Sequence, residues 1–171
     1  MRACAREREW WGRDAHPASP ARVRRASPAV RRRAASLLRV CPDAGATCLC
    51  DSSGVGRTVL IVDDHARFRA AARALLEEAG FDVAGEAEDG ASAFAGATEL
   101  SPEIILLDIH LPDVDGFVVA ERLVAGGVSS AIVLTSSRDV SSFRRRLAAN
   151  PAWAFIAKSD LSGEALAAAV G

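Results

Sequence analysis

The chain has 171 residues, 50% hydrophobic and 25% charged, enough length and apolar content for one globular domain with a tail; it is neither wholly disordered nor fibrous. No stretch approaches the roughly 18 to 20 uninterrupted apolar residues of a membrane span, which excludes a spanning helix. The formal net charge of −1 hides two unlike segments: residues 1–56 carry 11 arginines against 5 acids, and residues 57–171 carry 10 basic residues against 17 acids.

Residues 1–56 are rich in Ala, Arg, Pro and Ser, with no sustained apolar period and two basic clusters, Arg22, Arg24, Arg25 and Arg31, Arg32, Arg33. Such a stretch buries too little surface to offset its ordering entropy, so a disordered leader is expected, with Val55 as a candidate natural start. Three functional readings are weaker. A transit peptide and a nucleic-acid arm would both use the arginines, but five acids interrupt the charge and Trp10 and Trp11 are adjacent rather than interleaved with it. A metal site from His16, Cys41, Cys48 and Cys50 lacks the paired C-x2-C spacing of structural zinc. With Cys4, these are all the cysteines, so the remainder cannot depend on disulfides and a cytoplasmic location is favoured; no apolar core of a secretory signal is present.

After Gly56 the pattern becomes regular. Residues 59–62 form a short apolar strand ending in two acids, and 68–79 an Ala- and Leu-rich helix with Gly80 as its stop. The alternation continues with strand 82–87, helix 91–100, strand 104–107, helix 117–125 and strand 131–134. It closes with helix 140–149, strand 154–157 and helix 162–170. Five strand–helix pairs predict a parallel sheet covered on both faces, because parallel strands require crossover helices. Ligands of such open sheets sit beyond the carboxyl ends of the strands.

Those ends carry Asp63 and Asp64, then Asp108, Thr135 and Lys158. Three carboxylates, a hydroxyl and an ammonium on one edge suit a hard divalent cation, Mg2+, together with a phosphoryl group. A central carboxylate can then act as nucleophile toward phosphorus while the ammonium and hydroxyl take the phosphoryl oxygens. Lys158 is the only lysine among 21 basic residues, so its place just after an apolar strand points to a need for a compact ammonium on a flexible stem.

The motifs VLIVDDH, LLDIHLPDVDGF, IVLTSS and FIAKSD occur in order, each at a strand end. With them, residues 57–171 resemble the receiver domain of bacterial two-component response regulators, of the chemotaxis-regulator-like kind without an output domain. The resemblance implies a doubly wound α/β fold, flavodoxin-like, with a five-stranded parallel sheet in the order 2-1-3-4-5 and helices on both faces. It makes Asp108 the phosphoacceptor for a histidine kinase or phosphotransfer protein. Asp63, Asp64, Asp108 and the backbone carbonyl of His110 become the Mg2+ ligands, Thr135 and Lys158 the phosphoryl-binding groups, and Phe155 the switch aromatic. Phosphate would draw Thr135 inward, Phe155 would follow, and the face of the fourth strand, fourth helix and fifth strand would be remodelled for an unknown downstream protein. A phosphorylation-dependent homodimer fits the same scheme. Neither nucleic acid nor membrane is expected as a partner of the receiver itself, which is read as a regulatory phosphoacceptor and not an enzyme. Pro112 and Gly116 match the family's loop after the phosphoacceptor.

Departures from the family occur at Asn150, Pro151, Ala152 and Trp153, where a small pair is common, and at Ser159, where proline is common. His110 and Ser137 stand where the family tunes autodephosphorylation, so an altered phosphoryl lifetime is expected. One alternative is a decayed or truncated receiver that binds partners without being phosphorylated. Another uses Asp113-Val114-Asp115-Gly116, a D-x-D-G signature resembling that of haloacid-dehalogenase-type phosphatases, which also use an aspartate nucleophile. That motif should directly follow a strand, yet Asp108 already holds the strand end. As a calcium loop it has Leu111 and Arg122 at ligand positions. Arg144, Arg145 and Arg146 read as a solvated helix face, and His65 as the start of the first helix.

Overall fold

The computed structural model describes residues 24–25, 56–149 and 154–171. Five parallel strands, β1 (Thr58–Val62), β2 (Asp82–Ala87), β3 (Ile104–Asp108), β4 (Ala131–Ser136) and β5 (Ala154–Ala157), lie in the order β2-β1-β3-β4-β5. Between them run α1 (Ala66–Glu78), α2 (Gly90–Leu100), α3 (Gly116–Ala125) and α4 (Arg144–Ala149), with α5 (Gly163–Val170) after β5. The strand order and the helix alternation agree with the doubly wound fold expected from the sequence. Arg24–Arg25 adds a two-residue antiparallel strand to the outer edge of β2, opposite Glu86 and Gly85. The rest of the expected leader, with all four cysteines, and the departures at 150–153 lie outside the described residues.

The apolar runs serve both faces because successive side chains of a strand point to opposite sides. From β1, Leu60 and Val62 pack with Ile105, Leu107 and Leu134 beneath α2 and α3, through Ala93, Ala97, Phe117, Ala120 and Leu123. Val59 and Ile61 join Ile104, Leu106 and Val133 on the other face, under Ala72 and Leu76 of α1 and Leu166 of α5. Fully burying each such aliphatic side chain is worth roughly 1.5–3 kcal/mol, so these two layers are the main stabilising term.

Local chemistry starts the helices. Asp89 and Ser92 form a reciprocal capping box on α2, Asp115 caps α3 through the Phe117 N–H, and Ser162 caps α5 through the Ala165 N–H. The single helix expected over 140–149 is divided: Val140–Phe143 is a tight 3-10 turn and only Arg144–Ala149 is α-helical. Asp139 accepts from the Ser141 N–H at 2.7 Å, and this short cap draws the first turn tight. Among the described residues no helix is long and apolar enough to cross a membrane.

Candidate functional site

The carboxyl edge of the sheet gathers the candidate residues. Asp63 directly follows β1 and is fully buried, its N–H donating to the Ala87 carbonyl at 3.0 Å. Asp108 ends β3 at 2% exposure and pairs in register with Thr135 on β4, itself buried. Lys158 opens the 3-10 turn after β5 and reaches back across the edge. Its Nζ stands 2.5 Å from Asp63 Oδ2 and 2.9 Å from Asp108 Oδ2. Phe68, on the first turn of α1, lies beneath the ammonium, with Nζ 4.7 Å from its ring centroid.

Burial pushes the Asp108 carboxyl above its ordinary value, and the neighbouring Asp63 adds to this against the opposing pull of Lys158. For Lys158 burial acts downward, but its close contacts with the Asp63 and Asp108 carboxylates outweigh it and hold the ammonium above its ordinary value. Asp63 Oδ2 meets that ammonium as an ion pair without an aligned hydrogen bond, and Asp108 Oδ1 is buried with no protein partner. Such an orphaned oxygen is costly unless something outside the fold takes it. Asp64, exposed, completes the acidic edge. Candidate ligand atoms of Asp63, Asp64, His65 and Asp108 all lie within 4.8 Å of one another. Carboxylate oxygens around an unpartnered Asp108 oxygen are a donor set that fits Mg2+. His65 does begin α1, as its N-cap; its ring also contacts the Asp64 carboxylate.

The loop between β3 and α3 is built tightly against the acidic edge. Gly116 is required by packing: a Cβ there would stand 2.2 Å from the Asp108 carbonyl oxygen and 2.8 Å from Ile109 Cα, both backbone atoms that cannot swing aside. Asp113 accepts from the Gly90 N–H at 3.0 Å and so ties this loop to the start of α2. Asp115 caps α3 and takes a bidentate bond from Arg146. Both acids of the D-x-D-G signature are thus engaged in holding helices, which accounts for the motif without phosphatase or calcium chemistry. His110, two residues past Asp108, is exposed, and its backbone bridges to Asp115. Phe155 is half-buried on β5, its ring 6.0 Å from that of Phe143.

The structure therefore brings Asp63, Asp64, Asp108 and Lys158 together directly, with Thr135 beside Asp108, while His110 and Phe155 flank them. Three contributors were not legible in the sequence. Phe68 beneath Lys158 and Phe143 among the aromatic rings are apolar residues at ordinary helical positions. Arg69 is buried and donates to the Asp63 carbonyl at 2.6 Å; an arginine six residues past an acid carries no sequence signal. Arg144 and Arg145 are exposed as expected, but Arg146 is engaged with Asp115 and Phe117, because the α3 N-terminus comes within reach only in the folded chain.

Comparison with known proteins gives one family. Residues 59–170 match the family profile named Response regulator receiver domain. BvgA of Bordetella pertussis, a protein named for transcriptional regulation of virulence factors, is 36% identical over 111 residues, 65% of this chain and 53% of that protein. CheY of Thermotoga maritima, a chemotaxis protein, is 34% identical over 83 residues, 48% of this chain and 69% of CheY. The receiver domain of NarL from Mycobacterium tuberculosis superposes with a TM-score of 0.58 at 29% identity, covering 68% of this chain and 98% of that domain. The chain spans about half the length of the first curated relatives it matches. The fold, the acidic edge with its lysine, and these matches together show that the chain belongs to the response regulator receiver domain family of two-component signalling.

Proposed function

We propose that the protein is a phosphoacceptor switch, in which Asp108 receives a phosphoryl group from a histidine kinase or phosphotransfer protein. The observation that carries this reading is the buried Asp108 carboxylate, with one oxygen held at 2.9 Å by Lys158 and the other unpartnered. An Asp108 oxygen attacks phosphorus; the new O–P bond forms as the donor's P–N bond to histidine breaks, and the electron pair leaves with the imidazole nitrogen. Asp63, Asp64, Asp108 and the His110 backbone carbonyl would hold Mg2+. Bound there, Mg2+ supplies the positive charge that offsets the carboxylates and the incoming phosphoryl oxygens. Lys158 supplies a point charge to the phosphoryl group and Thr135 a hydroxyl donor.

The readout is a remodelled face at β4, α4 and β5. Phe155 is its aromatic reporter, and a partner protein or a second copy of the chain docks there. On this reading the domain is regulatory and its only chemistry is gaining and losing its own phosphoryl group. His110 and Ser137 are the proposed tuners of phosphoryl lifetime; Ser137 is exposed beside the site, and His110 Nδ1 lies 3.5 Å from Ser136 Oγ.

Incubation with Mg2+ and acetyl phosphate, followed by intact mass, tests the reading. One added phosphoryl group in the wild type, absent from Asp108→Ala, is expected; here the P–O bond of acetyl phosphate breaks and acetate leaves. No adduct on folded wild-type protein with Mg2+ present would instead favour a binding module that works without phosphorylation.

A further inference from the structure

Helix α4 is a short, lightly anchored element beside the site. It is six residues long and none of them is buried. Leu147 is partly buried against the apolar layer beneath α2 and α3, and two further side chains hold the segment down. Phe143, at the end of the preceding 3-10 turn and 7% exposed, packs its ring 5.9 Å from His110, 6.1 Å from Phe117 and 6.0 Å from Phe155. Arg146 donates through Nη1 to Asp115 Oδ2 at 2.7 Å and through Nη2 to Oδ1 at 3.0 Å. Its guanidinium carbon also lies 4.0 Å from the Phe117 ring centroid. A planar fork facing a carboxylate, stacked on an aromatic ring, is a geometry that arginine provides and lysine does not.

The far end of this contact leads to the phosphoacceptor. Asp115 caps α3 through the Phe117 N–H at 2.9 Å, and Gly116 beside it donates its N–H to the Ile109 carbonyl at 2.8 Å. The first turn of α3 therefore cannot move without disturbing the backbone that follows Asp108. From Asp108 to α4 the path is short and mechanical: the strand end, the α3 cap, the guanidinium, the helix.

We propose that Arg146 is a positioning residue whose fork on Asp115 latches α4 against the β3–α3 loop in the unphosphorylated protein, and that phosphorylation of Asp108 releases it. The proposal rests on the phosphoacceptor reading above. A half-exposed ion pair and one cation–π contact are each weak, so the latch sets a population without locking it, and removing it shifts the balance about three- to tenfold.

The test compares wild type with Arg146→Ala, Arg146→Lys and Asp115→Asn; asparagine keeps the α3 cap and loses the charge. Hydrogen exchange over residues 140–149 is followed without phosphodonor, and phosphoryl uptake from acetyl phosphate with Mg2+ is followed by intact mass. Arg146→Ala and Asp115→Asn are expected to exchange that segment about three- to tenfold faster and to take up phosphate faster by a similar factor. Arg146→Lys should fall between them and wild type. Exchange in core strands should not change.

Unchanged exchange over 140–149 overturns the latch. Faster exchange with an unchanged uptake rate overturns the coupling and leaves a purely structural bridge. If the wild type takes up no phosphoryl group, the phosphoacceptor reading itself fails. Faster exchange in Arg146→Ala would then show a bridge with no phosphoryl trigger, which also overturns the proposal.

Discussion

Replacing Lys158 by methionine removes the only side-chain cation that reaches both Asp63 and Asp108 among the described residues, while nearly preserving volume. The two contacts, 2.5 and 2.9 Å long, each correspond to about 6 kcal/mol of attraction at an effective dielectric of about 20. The two carboxylate oxygens share one nitrogen, so they lie no more than about 5.4 Å apart and repel by at least about 3 kcal/mol on the same scale. The desolvation of the ammonium itself offsets much of this sum. Breaking a buried pair from one side typically costs about 3–5 kcal/mol, and a loss in that range is expected for Lys158→Met. For a domain of this size the melting temperature falls by about 4 °C per kcal/mol, hence by about 12–20 °C.

Two controls separate this cause from lost packing. The double variant Lys158→Met/Asp108→Asn, with one buried charge removed, should recover at least about half of the loss. The deficit should also shrink as pH is lowered toward the ordinary carboxylate value, because protonation relieves the uncompensated charge and the folded state then binds more protons than the unfolded one. Thermal unfolding of wild type, Lys158→Met and the double variant between pH 5 and 8, with and without Mg2+, measures all of this. Mg2+ should raise the melting temperature of Lys158→Met more than that of wild type, since a cation at the acidic edge takes over the missing charge. A loss below about 1 kcal/mol, or a double variant no more stable than the single one, would refute the reasoning.

In Gly116→Ala the new Cβ would stand 2.2 Å from the Asp108 carbonyl oxygen, so an overpacking cost at or above the usual range of about 1–3 kcal/mol should outweigh any helix-propensity gain; urea unfolding measures it. Asp108→Asn should be more stable than wild type at neutral pH: burial raises this carboxyl, so its penalty is absent below the ordinary carboxylate value and present once pH rises through the raised one. Burial acts to raise Asp115, but its bonds to Arg146 and to the Phe117 N–H prevail and hold it below the ordinary value, so the stability from this half-exposed pair is present above the ordinary carboxylate range and fades as pH falls through the lowered one. The difference between wild type and Arg146→Ala should therefore stay within about 1 kcal/mol and narrow on acidification. Decay of the aspartyl phosphate should differ between wild type and His110→Ala; equal rates would remove His110 from the control of phosphoryl lifetime.

Much of the molecule was determined along the chain itself. The runs at 59–62, 104–107 and 131–134 are apolar on both alternating faces, so only a doubly covered parallel sheet accommodates them, and such a sheet sends the residue after each strand to one edge. That reasoning alone collected Asp63, Asp64, Asp108, Thr135 and Lys158, because their placement depends on strand ends and not on side-chain packing. Tertiary structure decided what depends on contacts between distant segments. Arg146 looks like its exposed neighbours Arg144 and Arg145 until α3 is folded against α4, 31 residues away in sequence. Phe68 is an ordinary helical aromatic until the ammonium after β5 comes to rest over it. The acids of D-x-D-G carry an ambiguous signature until Gly90 and Phe117 present their N–H groups to them. Periodicity is a local property and survives in the sequence, whereas the partner of a polar side chain is set by which surfaces the fold brings together.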